Sequence, residues 1–242
     1  MRLSRVLAVG FVSSLGLITA ASAAPTTFVA DDGRGSINTG PGAFESVDVV
    51  WGNYFTTDTP TRIASISVAF GRIAEDESVT VFVLNDPDND GDPTNGVVTG
   101  TGVGLVTTTN ANNADEFDTF VDYDITGGPE GTSLGFVEGG FFVGVLVNDL
   151  DALNPRPGQN GLRDAPARRD DDTADGAGWF FFGGGNETDL NDLAALPVGI
   201  NVGDPAVFGG LAGNNLVRAV SVPEPAVMAW VGFVLAAFRR RR

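Results

Sequence analysis

Aspartates recur at every second position in the stretch from Asn85 to Gly96: Asp86, Asp88, Asp90 and Asp92. Carboxylates so close repel one another, and a hard cation bound through oxygen relieves that repulsion. Gly91 stands where a calcium loop of the Asp-x-Asp-x-Asp-Gly type needs its sharp turn. The spacing predicts a calcium site built from these four carboxylates, with calcium as the cofactor. Val97 occupies the place where a bidentate Glu would close such a loop, and Pro87 and Pro93 are unusual in it, so a further ligand must come from elsewhere in the chain. The competing expectation is a solvated acidic turn capped by its prolines.

Two further groups of residues could do chemistry. Arg163, Arg168 and Arg169 stand among Asp164, Asp170, Asp171, Asp172 and Asp175. Such a loop could bind a ligand carboxylate through arginine or supply distant ligands to the calcium site. The plainer expectation is a solvated loop whose exposed ion pairs contribute little. Trp51, Trp179 and Phe180 to Phe182 could form a platform on which a sugar stacks, although aromatics at strand spacing more often belong to a core.

What the chain lacks narrows its chemistry. It has no Cys and no His, which removes disulfides, thiolate nucleophiles, Cys/His zinc sites and a Ser-His-Asp relay. Carboxylate, hydroxyl, amide and guanidinium chemistry remains, and the only common catalytic set it allows is a carboxylate pair of the glycosidase kind. The formal charge is -17. Of 14 basic residues, Arg2, Arg5, Arg239, Arg240, Arg241 and Arg242 stand at the two ends, so 8 face 31 acidic residues and the span between carries about -23. Such a body repels phosphates, and nucleic acid is excluded as a partner.

The ends read as addresses. Arg2 and Arg5 precede an apolar run from Val6 to Ile18 and then small residues through Ala24, the pattern of a signal peptide. Cleavage after Ala23 places Ala21 and Ala23 at the small-residue positions; the alternative is a retained anchor. At the far end Val222-Pro223-Glu224-Pro225 leads into the uncharged apolar stretch Ala226 to Phe238 and four consecutive arginines. As a helix that stretch would be about 20 Å long, short of a hydrocarbon core of about 30 Å. Snorkelling arginines or bilayer thinning would be needed for it to cross, with the arginines kept inside.

This tail resembles the PEP-CTERM sorting signal: the Pro223, Glu224 and Pro225 motif, a short apolar helix and the cluster Arg239, Arg240, Arg241 and Arg242, in that order and paired with a signal peptide. The resemblance implies recognition by an exosortase-like processing enzyme, transient attachment to the membrane through the C-terminal helix, and delivery to the cell surface or extracellular polymer. It covers only the last 21 residues and implies nothing about the rest. An ordinary tail anchor is the alternative.

Between the ends, short apolar runs are broken by Gly, Pro, Asn and Asp, and no long amphipathic helix appears. Ala64, Ile66, Val68 and Phe70 alternate with small partners; Ser78 to Leu84 is nearly continuous, as in a strand buried on both faces; Phe117 to Ile125 alternates with aspartates, Phe120 excepted. Val47 to Phe55, Val97 to Thr109, Phe141 to Asn148, Trp179 to Phe182 and Leu216 to Val220 also read as strands, and Asp149 to Gly178 as the longest segment without strand character. The expectation is an all-β protein: a signal peptide over 1–23, an antiparallel, jelly-roll-like β-sandwich over 24–221, and a sorting signal over 222–242. In function it is expected to be a structural or adhesive, non-enzymatic protein of the cell surface or extracellular matrix, with extracellular polysaccharide as a partner. A carbohydrate-binding module and a carboxylate-dependent glycoside hydrolase stand as alternatives.

Overall fold

Val, Ile, Thr and Phe are concentrated in runs that suit a pleated, half-buried surface, and the body is built almost wholly of antiparallel strands. A computed structural model describes residues 24–42, 46–107, 118–128, 134–150, 164–170, 177–184, 188–196, 198–201 and 213–222. All of these but Ala24 belong to one unit, Pro25–Pro223. The strands are β1 (Thr27–Phe28), β2 (Ile37–Thr39), β3 (Val47–Arg72), β4 (Ser78–Asp86), β5 (Val97–Leu105), β6 (Phe120–Asp124), β7 (Phe136–Leu150), β8 (Ala165–Asp170), β9 (Gly178–Gly184), β10 (Val198–Asn201), β11 (Asn214–Asn215) and β12 (Val217–Ser221). The helical content of the described residues is two three-residue 3-10 turns, Pro93–Asn95 and Leu193–Ala195.

The 26-residue strand β3 organises the rest. Its first half pairs with β9 on one side and β7 on the other, β7 continues to β4 and β4 to β5. Its second half pairs with β12 and β6, and β12 carries β1 on its far side. β8 joins the end of β3 and brings in β2 and β11. The stretches Val47 to Phe55 and Ala64 to Phe70, expected as separate strands, are thus one. Pro60 reads as a break because it cannot donate to a ladder. In the fold it falls in an irregularity between Thr57 and Thr61, past which the pairing with β7 resumes.

Alternation along β7 and β4 feeds two cores. Phe141, Val143, Val145 and Val147, with Val79, Val81 and Val83, join Ile66, Val68 and Val217 in one buried cluster that both halves of β3 share. Phe142, Leu146, Phe82 and Leu84 point the other way and meet Val50, Phe181 and Leu193, with Trp179, Leu190 and Leu196 packed on the outside. The expectation that Ser78 to Leu84 is buried on both faces holds from Val81 to Leu84, whereas Ser78 is exposed and Thr80 half-buried. Each such side chain contributes about 1.5–3 kcal/mol of burial, which is how a chain without disulfides holds together.

β5 closes one edge. Its residue Thr101 bridges to Gly127, and the Gly135 N–H donates to the Thr99 carbonyl at 3.0 Å. Close approach there requires glycine: a methyl at Gly102 would overlap the Asp124 carbonyl, and one at Gly104 would overlap the Tyr123 ring. Phe120, the exception to the period along its segment, faces away from the core, with the Arg218 guanidinium 4.0 Å from its ring centroid.

Candidate cation site

Asp86 is the last residue of β4, opposite Gly140 of β7, and is only 2% exposed. A buried carboxylate must find donors, and this one takes them from its own loop. It accepts the N–H of Asn89 at 3.2 Å and of Gly91 at 3.0 Å. That wrapping needs left-handed backbone at Asn89 (φ 57°) and Gly91 (φ 79°), residue types that tolerate it. The Asp90 carboxylate accepts the Asp92 N–H at 2.8 Å, and Asp88 accepts from the Asn95 side-chain amide at 3.0 Å.

The loop brings together three of the four expected ligands. Asp86, Asp88 and Asp90 each offer an oxygen within 4.8 Å of the others. Asp92 is used otherwise: it caps the 3-10 turn Pro93–Asn95 by accepting the Thr94 N–H at 2.9 Å. Val97 lies on β5 and is half exposed, offering no ligand.

Burial is the largest influence on the Asp86 carboxyl and pushes its pKa up. The Gly91 N–H, the Tyr54 hydroxyl, Asp88 and the Asn89 N–H together outweigh it and hold the pKa below the ordinary carboxylate value. Asp88 goes the other way, raised first by its hydrogen bond with Asp86, then by desolvation and by the charges of Asp90 and Asp86. The Tyr54 hydroxyl is pushed up by burial, then by its bond to Asp86 and by the nearby aspartates. One carboxylate held ionised beside another that resists ionisation is an arrangement a bound cation relieves. The oxygen donors fit calcium, whose remaining ligands would be carbonyls or water.

The other two expected sites are corrected. Arg168 and Arg169 do not lie in a solvated loop: they are in β8, buried, beside Asp170. Arg168 donates to Asp118 at 3.0 Å, to the Asn38 side chain at 3.0 Å and to the Gly35 carbonyl. Pro166 in the middle of Ala-Pro-Ala-Arg-Arg-Asp hid the strand. Arg163, Asp171, Asp172 and Asp175 lie outside the described residues. The aromatic platform is likewise core. Trp51, Phe180 and Phe181 are buried, and Trp179 stacks on Phe181 at 5.6 Å, packed against the second cluster.

Beside the carboxylates runs an open groove of about 500 Å³, lined by residues 27–30 and by Tyr54, Phe55, Thr56 and Ala177. Sequence reasoning missed it because its lining is gathered from residues far apart in the chain rather than from any motif. Tyr54 belongs to both features, lining the groove and bonding Asp86. The address residues Ala21, Ala23, Pro223, Glu224, Pro225, Arg239, Arg240, Arg241 and Arg242 lie outside the described residues. Just before them, Val222 donates its N–H to the Arg62 carbonyl at 2.8 Å. Among the described residues no helix is long and apolar enough to cross a membrane. No family model, curated protein or solved structure matches the chain.

Proposed function

We propose that this chain is an exported structural or adhesive protein of the cell surface or extracellular matrix, without enzymatic activity, whose body calcium stabilises. The observation that carries the calcium part is the meeting of Asp86, Asp88 and Asp90 within 4.8 Å at the end of a buried strand. We read the body as a jelly-roll-like two-layer sandwich; the larger buried cluster, shared by both halves of β3, supports that architecture. The non-enzymatic reading rests on the absence of Cys and His, which leaves a carboxylate pair as the only common catalytic set. Of the aromatics that a sugar platform would use, Trp51, Phe180 and Phe181 are buried and Trp179 and Phe182 are half-buried against the core.

Delivery rests on the two address segments. Residues 1–23 are removed on export, an exosortase-like enzyme recognises Pro223, Glu224 and Pro225, and the C-terminal apolar helix and its arginines hold the chain at the membrane until then. Mass spectrometry of the surface form tests this. The expected product begins at Ala24 and lacks the tail beyond the motif. An intact tail on the surface form would reject processing.

A further inference from the structure

Midway along β3 the chain reads Thr56-Thr57-Asp58-Thr59-Pro60-Thr61, threonines around a single proline. The ladder with β7 runs as far as Thr57 opposite Gly139 and resumes at Thr61 opposite Val137. Asp58, Thr59 and Pro60 therefore stand against the single residue Glu138 and bulge out of the sheet. All of them are exposed and none joins either buried cluster, so packing gives no account of these residue types.

The threonine hydroxyls divide by what they do. Thr57 and Thr61, both half-buried, donate theirs to the Thr59 carbonyl at 2.9 Å and 2.8 Å. Those bonds close the bulge around that carbonyl and occupy both hydroxyls. Thr56 is exposed, but its main chain is held in the ladder opposite Gly140. Thr59 alone combines an exposed side chain, a main chain outside the β7 ladder and a hydroxyl that makes no hydrogen bond to a described residue. A modifying enzyme needs such a hydroxyl on an accessible stretch of chain, and exposed loop tips are where that access concentrates.

From this geometry we propose that Thr59 is the acceptor of an O-linked sugar. The Thr59 Oγ attacks the anomeric carbon of a sugar carried on a phosphate or diphosphate group. A carbon–oxygen bond forms there as the bond from that carbon to the phosphate oxygen breaks; the phosphate leaves with the electron pair, and the hydroxyl proton passes to a base of the transferase. Nothing is oxidised or reduced. Charge selects a sugar over a phosphoryl group. A phosphate would add about -1.5 to -2 beside Asp58, on a body that already carries about -23, whereas a neutral sugar adds none. Threonine with proline in an exposed polar segment is also the composition of O-glycosylated chain. The bond joins the body to carbohydrate without any aromatic platform, and it depends on neither calcium nor the C-terminal address.

The test is peptide mass spectrometry of the full chain taken from the cells that make it, with fragmentation that leaves side-chain groups attached. Trypsin, cutting after Arg34 and Arg62, releases residues 35–62 as one peptide. The expected result is that peptide made heavier by whole sugar residues, with the added mass on Thr59 and lost in mild alkali. Thr59→Val should abolish the addition with an unchanged melting temperature, and Thr59→Ser should retain it. A chain lacking residues 1–23 separates the two donors. Modification there assigns a nucleotide-linked sugar of the cell interior, and its loss assigns a lipid-linked sugar at the outer face of the membrane; both answers leave Thr59 the acceptor. A bare Thr59 in the full chain would overturn the proposal. So would phosphate at Thr59, or sugar on Thr56, Thr57 or Thr61 with Thr59 unmodified.

Discussion

Asp86 and Asp88 are two residues apart, yet the fold treats them oppositely, and their variants should respond oppositely. Asp86 has its pKa depressed in the folded chain, so its contribution is present at neutral pH and is lost as pH falls through the folded value. Asp86→Asn, which cannot accept at both oxygens, should cost about 1–3 kcal/mol at pH 7, and the difference from the parent should shrink in acid. Asp88 has its pKa raised, so its ionisation opposes folding above that value and is harmless below the ordinary one. Without calcium, Asp88→Asn should raise the melting temperature at pH 7 and lose that advantage in acid. Thermal melts of both variants between pH 3 and pH 7 in chelator check the pair; the same sign for both at pH 7 would contradict the assigned environments. The sequence shows the aspartate spacing and Gly91, but not the division of labour. Burial of Asp86 depends on Gly140 from a strand fifty-four residues on, and Asp92 leaves the set because Pro93 starts a turn that needs a cap.

At the scale of elements, two joints hold the sheets in register. Asn53 of β3 donates to the Asn215 carbonyl at 2.6 Å and the Val217 carbonyl at 2.9 Å, and accepts the Asn215 N–H at 3.0 Å. The Asn215 amide donates in turn to the Gly52 and Trp179 carbonyls. Asn53→Ala strands several of these buried groups and should cost roughly 2–4 kcal/mol in chemical denaturation. The second joint is the glycine row of β5. Gly102→Ala forces backbone against backbone at Asp124 and should cost about 1–3 kcal/mol, whereas Thr101→Ala on the other face should cost much less; equal losses would mean the edge is not closed there. Period-two alternation made most strands legible, since a buried face imposes it directly. It failed for Ala165–Asp170, where buried Arg168 is satisfied by Asp118, Asn38 and Gly35, partners a local reading cannot supply. It also split β3, because a bulge at Pro60 reads as an end until its neighbours are known.

For the whole molecule, the charge is the feature every part must accommodate: a body near -23 with no Lys and no disulfide folds against its own repulsion. Among the described residues three aspartates meet at Asp86, Asp88 and Asp90, and the account's central claim is that calcium is what holds them. The direct measurement is the melting temperature of the full chain with calcium, with magnesium and with chelator, for the parent and for the double variant Asp88→Asn, Asp90→Asn. At a hundredfold excess over its dissociation constant, calcium should add about 2.7 kcal/mol, a rise of roughly 5–10 °C for a chain of this size. Magnesium should do much less, because it demands tight octahedral geometry and gives up water reluctantly, and the double variant should lose the calcium-dependent rise while still folding. Equal shifts with both ions, or an undiminished shift in the double variant, would contradict the claim and leave the loop a solvated acidic turn.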